Sequence, residues 1–194
     1  MLRVVVLISG EGSNLRDFLD RCASGAVPAE VVAVGSDVDA PGLAHAHRDG
    51  IPTVVEPLDV GEPRDDWGQR LADRVAHFQP DLVILAGFMK LLPSPFVSRF
   101  APMLLNTHPA YLPEFPGAHA VRDALEAGAH ETGASVIVVD DGIDTGPILA
   151  QSRVAIRDDD TETTLHSRIK LVERELLASV VSDLASRENS IEEN

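Results

Sequence analysis

Asn106 and His108 stand one residue apart at the end of the apolar run 103–105, inside LLNTHPAYLPEFPGAHA (residues 104–120). Side chains two apart on an extended chain project to the same side. An amide donor and an imidazole therefore face one space. An amide can donate to an oxygen that gains negative charge, and an imidazole can move a proton, which are two of the parts that acyl transfer needs. Pro109, Pro113 and Pro116 stiffen the chain that follows. The same pattern also suits a strand end at which Asn106 caps a turn and His108 bonds to backbone. Asp144, 36 residues beyond His108 in DDGIDTGPILAQ (residues 140–151), lies on a loop between two apolar runs. From there a carboxylate can reach His108, orient it and favour its protonated form; Asp is equally common in such turns for conformational reasons.

A second candidate lies near the start of the chain. Residues 3–8, RVVVLI, read as a buried strand, followed by Ser9-Gly10-Glu11-Gly12-Ser13-Asn14 and a helix to about residue 24 with Leu15, Phe18, Leu19 and Cys22 on one face. A strand, a Gly-rich turn and a helix N terminus present free N–H groups and a positive dipole end to an anion. The spacing is not the dinucleotide fingerprint, because Leu15 stands where its last glycine belongs, and the P-loop Gly-Lys-Ser/Thr is absent. Ser13 or Asn14 is expected to cap this helix in either case.

The elements that must position these groups alternate between strand and helix. Strands are expected at 30–36, 53–56, 81–87, 132–140 and 146–156. Helices are expected at 41–49, 64–77, 94–99, 118–127 and from about 160 onward. The short loop between the last two strands implies antiparallel pairing. Phe88, Met89, Lys90, Leu91 and Leu92 follow a strand at its carboxyl end, where open α/β sheets gather ligands, and read as core or as the wall of a flat ligand. In the last helix Leu165, Ile169, Val172, Leu176 and Val180 form an apolar stripe. Glu173 sits at its inner side, where a carboxylate needs a partner. Asp158, Asp159 and Asp160 suit a helix start electrostatically. His45 and His47 fall on different sides of a helix, and no ligand set has metal spacing, so no metal is expected. The expected architecture is α/β: a single Rossmann-like three-layer domain over residues 1–186, with a mostly parallel mixed sheet of about seven strands and helices on both faces. Residues 187–194 are expected to form a polar, disordered tail.

Composition narrows the function. The net charge is −15, from 31 acidic and 16 basic residues, with no concentrated basic run. Nucleic acid is not an expected partner, and an anionic ligand must be held by local donors against the overall field. No apolar run approaches a membrane span. The start, MLRVVVLISG, reads as a core strand rather than a signal peptide. Cys22 is the only cysteine, which fits a reducing cytoplasm and a small buried side chain rather than a catalytic thiol.

The three stretches LISGEGSNL (residues 7–15), NTHPAYLPEFPGAHA (residues 106–120) and DDGIDTGPILAQ resemble the folate-dependent formyltransferases in order and spacing, over residues 3 to about 178. The resemblance implies transfer of a formyl group from 10-formyltetrahydrofolate, as cosubstrate, to the amine of phosphoribosylglycinamide in purine synthesis. It implies catalytic roles for Asn106, His108 and Asp144. Gly12, Ser13 and Asn14 would hold the ribonucleotide phosphate, and Glu173 the glycinamide substrate. Met89, Lys90, Leu91, Leu92, Val97 and Leu104 would wall the folate pocket with Asn106. Asp140, Asp141, Gly142, Ile143 and Asp144 would form its pterin loop, and Arg64 would contact the folate tail. A cis Leu112–Pro113 bond is implied as well. Glu114 departs from the Lys or Ser common there, and the acidic tail replaces a longer C-terminal segment, which bears on the oligomer and leaves a homodimer open. Methionyl-tRNA formyltransferases share the chemistry but are longer and must bind tRNA, and formyltetrahydrofolate hydrolases carry a second His where this chain has Pro109. A sugar-nucleotide amine formyltransferase is the remaining enzymatic alternative. A non-catalytic nucleotide-binding domain would account for Gly10 to Asn14 but not for Asn106, His108 and Asp144 together.

Overall fold

The computed structural model describes residues 1–192. Its elements in chain order are β1 (Leu2–Ile8), α1 (Ser13–Ala23), β2 (Ala29–Ser36), α2 (Leu43–Arg48), β3 (Thr53–Val55), α3 (Arg64–Ala76), β4 (Leu82–Leu85), α4 (Ser94–Phe100), β5 (Leu104–His108), α5 (Ala120–Glu126), β6 (Glu131–Val138), β7 (Ile148–Ala155) and α6 (Glu162–Glu192). The strands form one sheet in the order β3-β2-β1-β4-β5-β6-β7. The pairs from β3 to β5 are parallel, and β6 and β7 are antiparallel.

The apolar residues of β1 divide by parity. Leu2, Val4, Val6 and Ile8 enter one core with Leu15 and Phe18 of α1, Leu43 of α2 and Leu177 of α6. Val5 and Leu7 enter the other, with Trp67 and Leu71 of α3 and Phe96 of α4. A strand covered on both faces needs an apolar residue at every position, which is why these strands read as unbroken apolar runs. The three-layer Rossmann-like reading holds. Trp67 is fully buried, and its indole N–H donates to the Glu56 carbonyl at 2.9 Å, so the large ring enters the core without an orphaned donor.

Two boundaries differ from the sequence reading. β5 does not stop at residue 105: Asn106, Thr107 and His108 stay in the ladder opposite Ile137, Val136 and Ser135 of β6. An antiparallel neighbour satisfies their backbone, so the polar side chains do not end the strand. α6 continues past Ser186 to Glu192, through a segment with no Gly or Pro to stop it. Residues 193 and 194 of the expected tail lie outside the described residues. The Leu112–Pro113 peptide is cis, and so is Ala101–Pro102. No helix among the described residues is long and apolar enough to cross a membrane.

Candidate active site

A cavity of about 600 Å³ is lined by the turn before α1, the segment after β4, the end of β5, the loop between β6 and β7, and α6. Asn106 and His108 meet there as the strand period requires, on the same face as Leu104. Thr107, of opposite parity, lies with Leu105 on the side of the sheet that α6 covers, close to Glu173.

His108 is buried and held at both ring nitrogens. Nδ1 lies 3.4 Å from Asp144 Oδ2, and Nε2 lies 3.0 Å from the Phe115 carbonyl oxygen. Each ring nitrogen therefore faces an oxygen that can accept a proton from it. Asp144 sits at φ 54°, a left-handed conformation that Asp tolerates better than most residues. Its Oδ2 also accepts the Gly117 N–H at 2.8 Å. The loop that carries it is closed at its base by the Val138 N–H donating to the Pro147 carbonyl at 2.9 Å. Asp140 braces it from within, accepting from the Gly142 N–H at 3.0 Å and the Thr145 hydroxyl at 2.9 Å. Among the described residues the Asn106 side-chain amide has no hydrogen-bond partner, so its donors are available to the cavity.

Gly12, φ 68°, is the N-cap residue of α1, and no side chain caps the helix. This corrects the expectation that Ser13 or Asn14 serves as the cap. The Asn14 amide instead donates to Glu173 Oε2 at 3.4 Å, and its carbonyl oxygen accepts from Arg174 Nε at 3.0 Å. The first-turn N–H groups of α1 are thus left open at the cavity wall, the arrangement that binds anions.

Glu173 is buried, and burial pushes its carboxyl above the ordinary range, against the opposing effects of Asn14 and of the His108 charge. A carboxyl raised in the folded state binds its proton more tightly there than in the unfolded chain. Its contribution is therefore most favourable in acid and is lost as pH rises from the ordinary value, about 4.3, through the raised folded one. Glu173→Gln is expected to raise the melting temperature at pH 7–8, with the gain closing below about pH 4.3. Melting curves across pH check this, and a Gln variant less stable than the parent at neutral pH would contradict it.

Met89, Lys90, Leu91, Leu92, Asp140, Gly142 and Ile143 line the cavity. Met89, Leu91 and Ile143 are 65%, 53% and 57% exposed, so large apolar side chains gather at its mouth. Arg64, Val97, Leu104 and Asp141 are not among the lining residues. Val97 and Leu104 are buried in the core beneath Leu92. Arg64 donates to the Leu91 carbonyl, and Asp141 accepts from Ser94 Oγ at 2.7 Å, so both brace the wall from outside.

Ser9, at the head of the Gly-rich turn, also lines the cavity, as do Thr107, His166 and Lys170, which were not singled out in the sequence. Ser9 Oγ donates to Asp37 at 2.5 Å and accepts the Met89 N–H at 2.8 Å, joining the ends of β1 and β4. His166 and Lys170 precede Glu173 by seven and three residues on α6. That helical spacing is the signal by which they could have been found. Half-burial and the neighbouring Lys170 hold the His166 imidazole below its ordinary value. His45 bonds the Glu11 carbonyl at 3.2 Å and His47 the Thr53 hydroxyl at 3.0 Å, on separate sides as expected. Burial pushes the Cys22 thiol up to about 11, so it is a poor nucleophile at neutral pH.

The sequence profile of the formyl transferase family matches residues 2–181. The chain is 50% identical over 184 residues to a phosphoribosylglycinamide formyltransferase of Mycobacterium tuberculosis, covering 95% of this chain and 85% of that protein. It is 38% identical over 194 residues to the Escherichia coli protein of the same name, covering 100% and 92%. Glycinamide ribonucleotide transformylase 1 from Symbiobacterium toebii has the same fold at a TM-score of 0.92 and 38% identity, covering 96% of this chain and 88% of that one. Likeness of this extent, over the elements that bring Asn106, His108 and Asp144 to one cavity, makes the chain a member of the formyl transferase family.

Proposed function

We propose that the chain transfers the formyl group of 10-formyltetrahydrofolate to the amine of 5-phosphoribosylglycinamide, giving formylglycinamide ribonucleotide and tetrahydrofolate in cytoplasmic de novo purine synthesis. The observation that carries this reading is the convergence of Asn106 and the Asp144–His108 pair on a cavity that also holds an uncapped helix N terminus. A non-catalytic nucleotide-binding domain has no use for the first two.

The cavity fits both ligands by its chemistry. Met89, Leu91, Leu92, Ile137, Val139 and Ile143 offer an apolar wall to a flat pterin, and a volume of about 600 Å³ is ample for a drug-sized ligand. When bound, the folate supplies an activated formyl carbon. The chain's residues do the rest. The Asn106 amide donates to the formyl oxygen as it gains negative charge, a contribution of about 3 kcal/mol in acyl transfer. His108 holds a proton at Nε2 for delivery, and Asp144 fixes the ring through Nδ1. Glu173 meets the substrate amine, and the Gly12, Ser13 and Asn14 backbone meets the phosphate. Absorbance at the folate product's band, followed with and without phosphoribosylglycinamide, tests the reading. Release to water without this acceptor would replace it with a hydrolase, and release only with a different amine would replace it with another amine formyltransferase.

Two further outcomes follow from the donor set. At a net charge of −15 the protein repels the nucleotide at long range, while contacts in the pocket are screened little by salt. Raising salt from low to physiological levels should leave nucleotide affinity unchanged or slightly improved in titration calorimetry. A site built on a Lys/Arg cluster would weaken steeply. Among the described residues no three His, Cys, Asp or Glu side chains are grouped as a metal site. Turnover should therefore survive chelator treatment, and a loss restored by added metal would refute that.

A further inference from the structure

Glu114, in the loop that follows β5, is paired by the fold. Arg153 on β7 donates to both of its carboxylate oxygens, at 2.8 and 2.9 Å. The same guanidinium lies 3.7 Å from the centre of the Tyr111 ring and 3.4 Å from Glu131. Arg153 is thus held between a carboxylate and an aromatic face that both belong to the loop 109–117. Fork and stack together demand a planar guanidinium. The backbone of that loop is fastened to the same hairpin. The Leu112 N–H donates to Ser135 Oγ at 3.2 Å, and its carbonyl accepts from Gln151 Nε2 at 3.1 Å.

What this loop carries is the reach of His108. Phe115, the residue after Glu114, stands at φ 50° and offers the carbonyl that accepts from Nε2. Gly117, two residues on, donates to the carboxylate that faces Nδ1. Both acceptors of the imidazole therefore depend on where the loop sits. We propose that Tyr111, Arg153 and Glu114 form a clamp that places the Phe115 carbonyl and, through it, the His108 proton. They are positioning residues that touch no substrate. A half-exposed ion pair adds little to stability, whereas a misplacement of about 1 Å in a catalytic group costs on the order of 100-fold in rate. The clamp should therefore show in turnover and not in melting temperature.

The clamp rests on the formyl-transfer reading, and the experiment separates the two. Turnover and KM for both substrates are measured for the parent protein, Arg153→Ala, Arg153→Lys, Glu114→Gln, the Arg153→Ala/Glu114→Gln double variant, and Arg122→Ala as a control on a comparably exposed arginine of α5. Arg153→Ala should lose about 10- to 100-fold in kcat with both KM values nearly unchanged. Arg153→Lys should fall between it and the parent. Glu114→Gln should cost nothing further once Arg153 is gone, because the pair acts as a unit. Arg122→Ala should match the parent. No turnover by the parent protein would overturn the functional reading itself. With the parent active, an Arg153→Ala kcat within about twofold of it, or single losses that multiply in the double variant, would overturn the clamp. If Arg153→Ala does not fold, Arg153→Lys and Glu114→Gln carry the same test.

Discussion

Replacing His108 with alanine is expected to lower kcat by about 10³-fold, within the range that a positioned general acid or base contributes. No other imidazole takes its place: His166, the other cavity-lining histidine among the described residues, is half-buried beside Lys170, and the two effects hold it below its ordinary value. His108 is buried in β5, so its removal is not silent for the fold. It strands the Phe115 carbonyl and leaves Asp144 with the Gly117 N–H as its donor, at a cost of about 1–3 kcal/mol if water does not reach them. His108→Asn, which fills part of the space and cannot carry a proton, is the companion variant. Both should melt cooperatively below the parent and both should be nearly inactive. Near-parental turnover in either folded variant removes His108 from the mechanism.

Gly12→Asp should abolish binding of the nucleotide, by roughly 100-fold or more, since a like charge at the proposed phosphate site costs several kcal/mol. Folate binding, proposed for the apolar wall on the other side of the cavity, should persist. The geometry also supplies the control. At φ 68° any side chain is strained, and a Cβ on Gly12 would lie 3.0 Å from Gly42 Cα and 3.4 Å from His45 Cδ2. Gly12→Ala shares that strain, about 1–2 kcal/mol, without the charge. Calorimetry with each ligand on both variants separates the two effects. Equal loss of both ligands in a folded Gly12→Asp protein would mean that the first βα turn is not the phosphate site.

Much of this was legible because burial on two faces writes itself as apolar runs. β1, β4 and the start of β5 could hardly be read otherwise, and the two-residue spacing of Asn106 and His108 placed them together without knowledge of the fold. What was not legible depends on partners far apart in sequence. Arg153 looks like a surface charge on an edge strand until Tyr111 and Glu114 come to it across 42 and 39 residues. Asn14 reads as a cap because its type favours caps. The tertiary pull of Glu173 and Arg174 takes its side chain elsewhere. Val97 and Leu104 carry the same apolar signature as Leu92, and only packing decides which of them faces the cavity.

The contacts of Asn14 with Glu173 and Arg174 span 159 and 160 residues, and α1 shares its core with Leu177 and Val181 of α6. During synthesis the chain emerges from its N terminus. β1 is central to the sheet and α1 is among the first elements to appear, yet the surface that covers α1 is among the last. Until α6 is released, Leu15, Phe18 and Leu19 lack part of their cover, and the turn before α1 lacks the Glu173 carboxylate that accepts from Asn14. A nascent chain arrested after β7 should therefore bind a holdase-type chaperone through this face. It should gain affinity for the nucleotide only when residues 162–181 are added, a step that ribosome-bound chains of graded length would resolve.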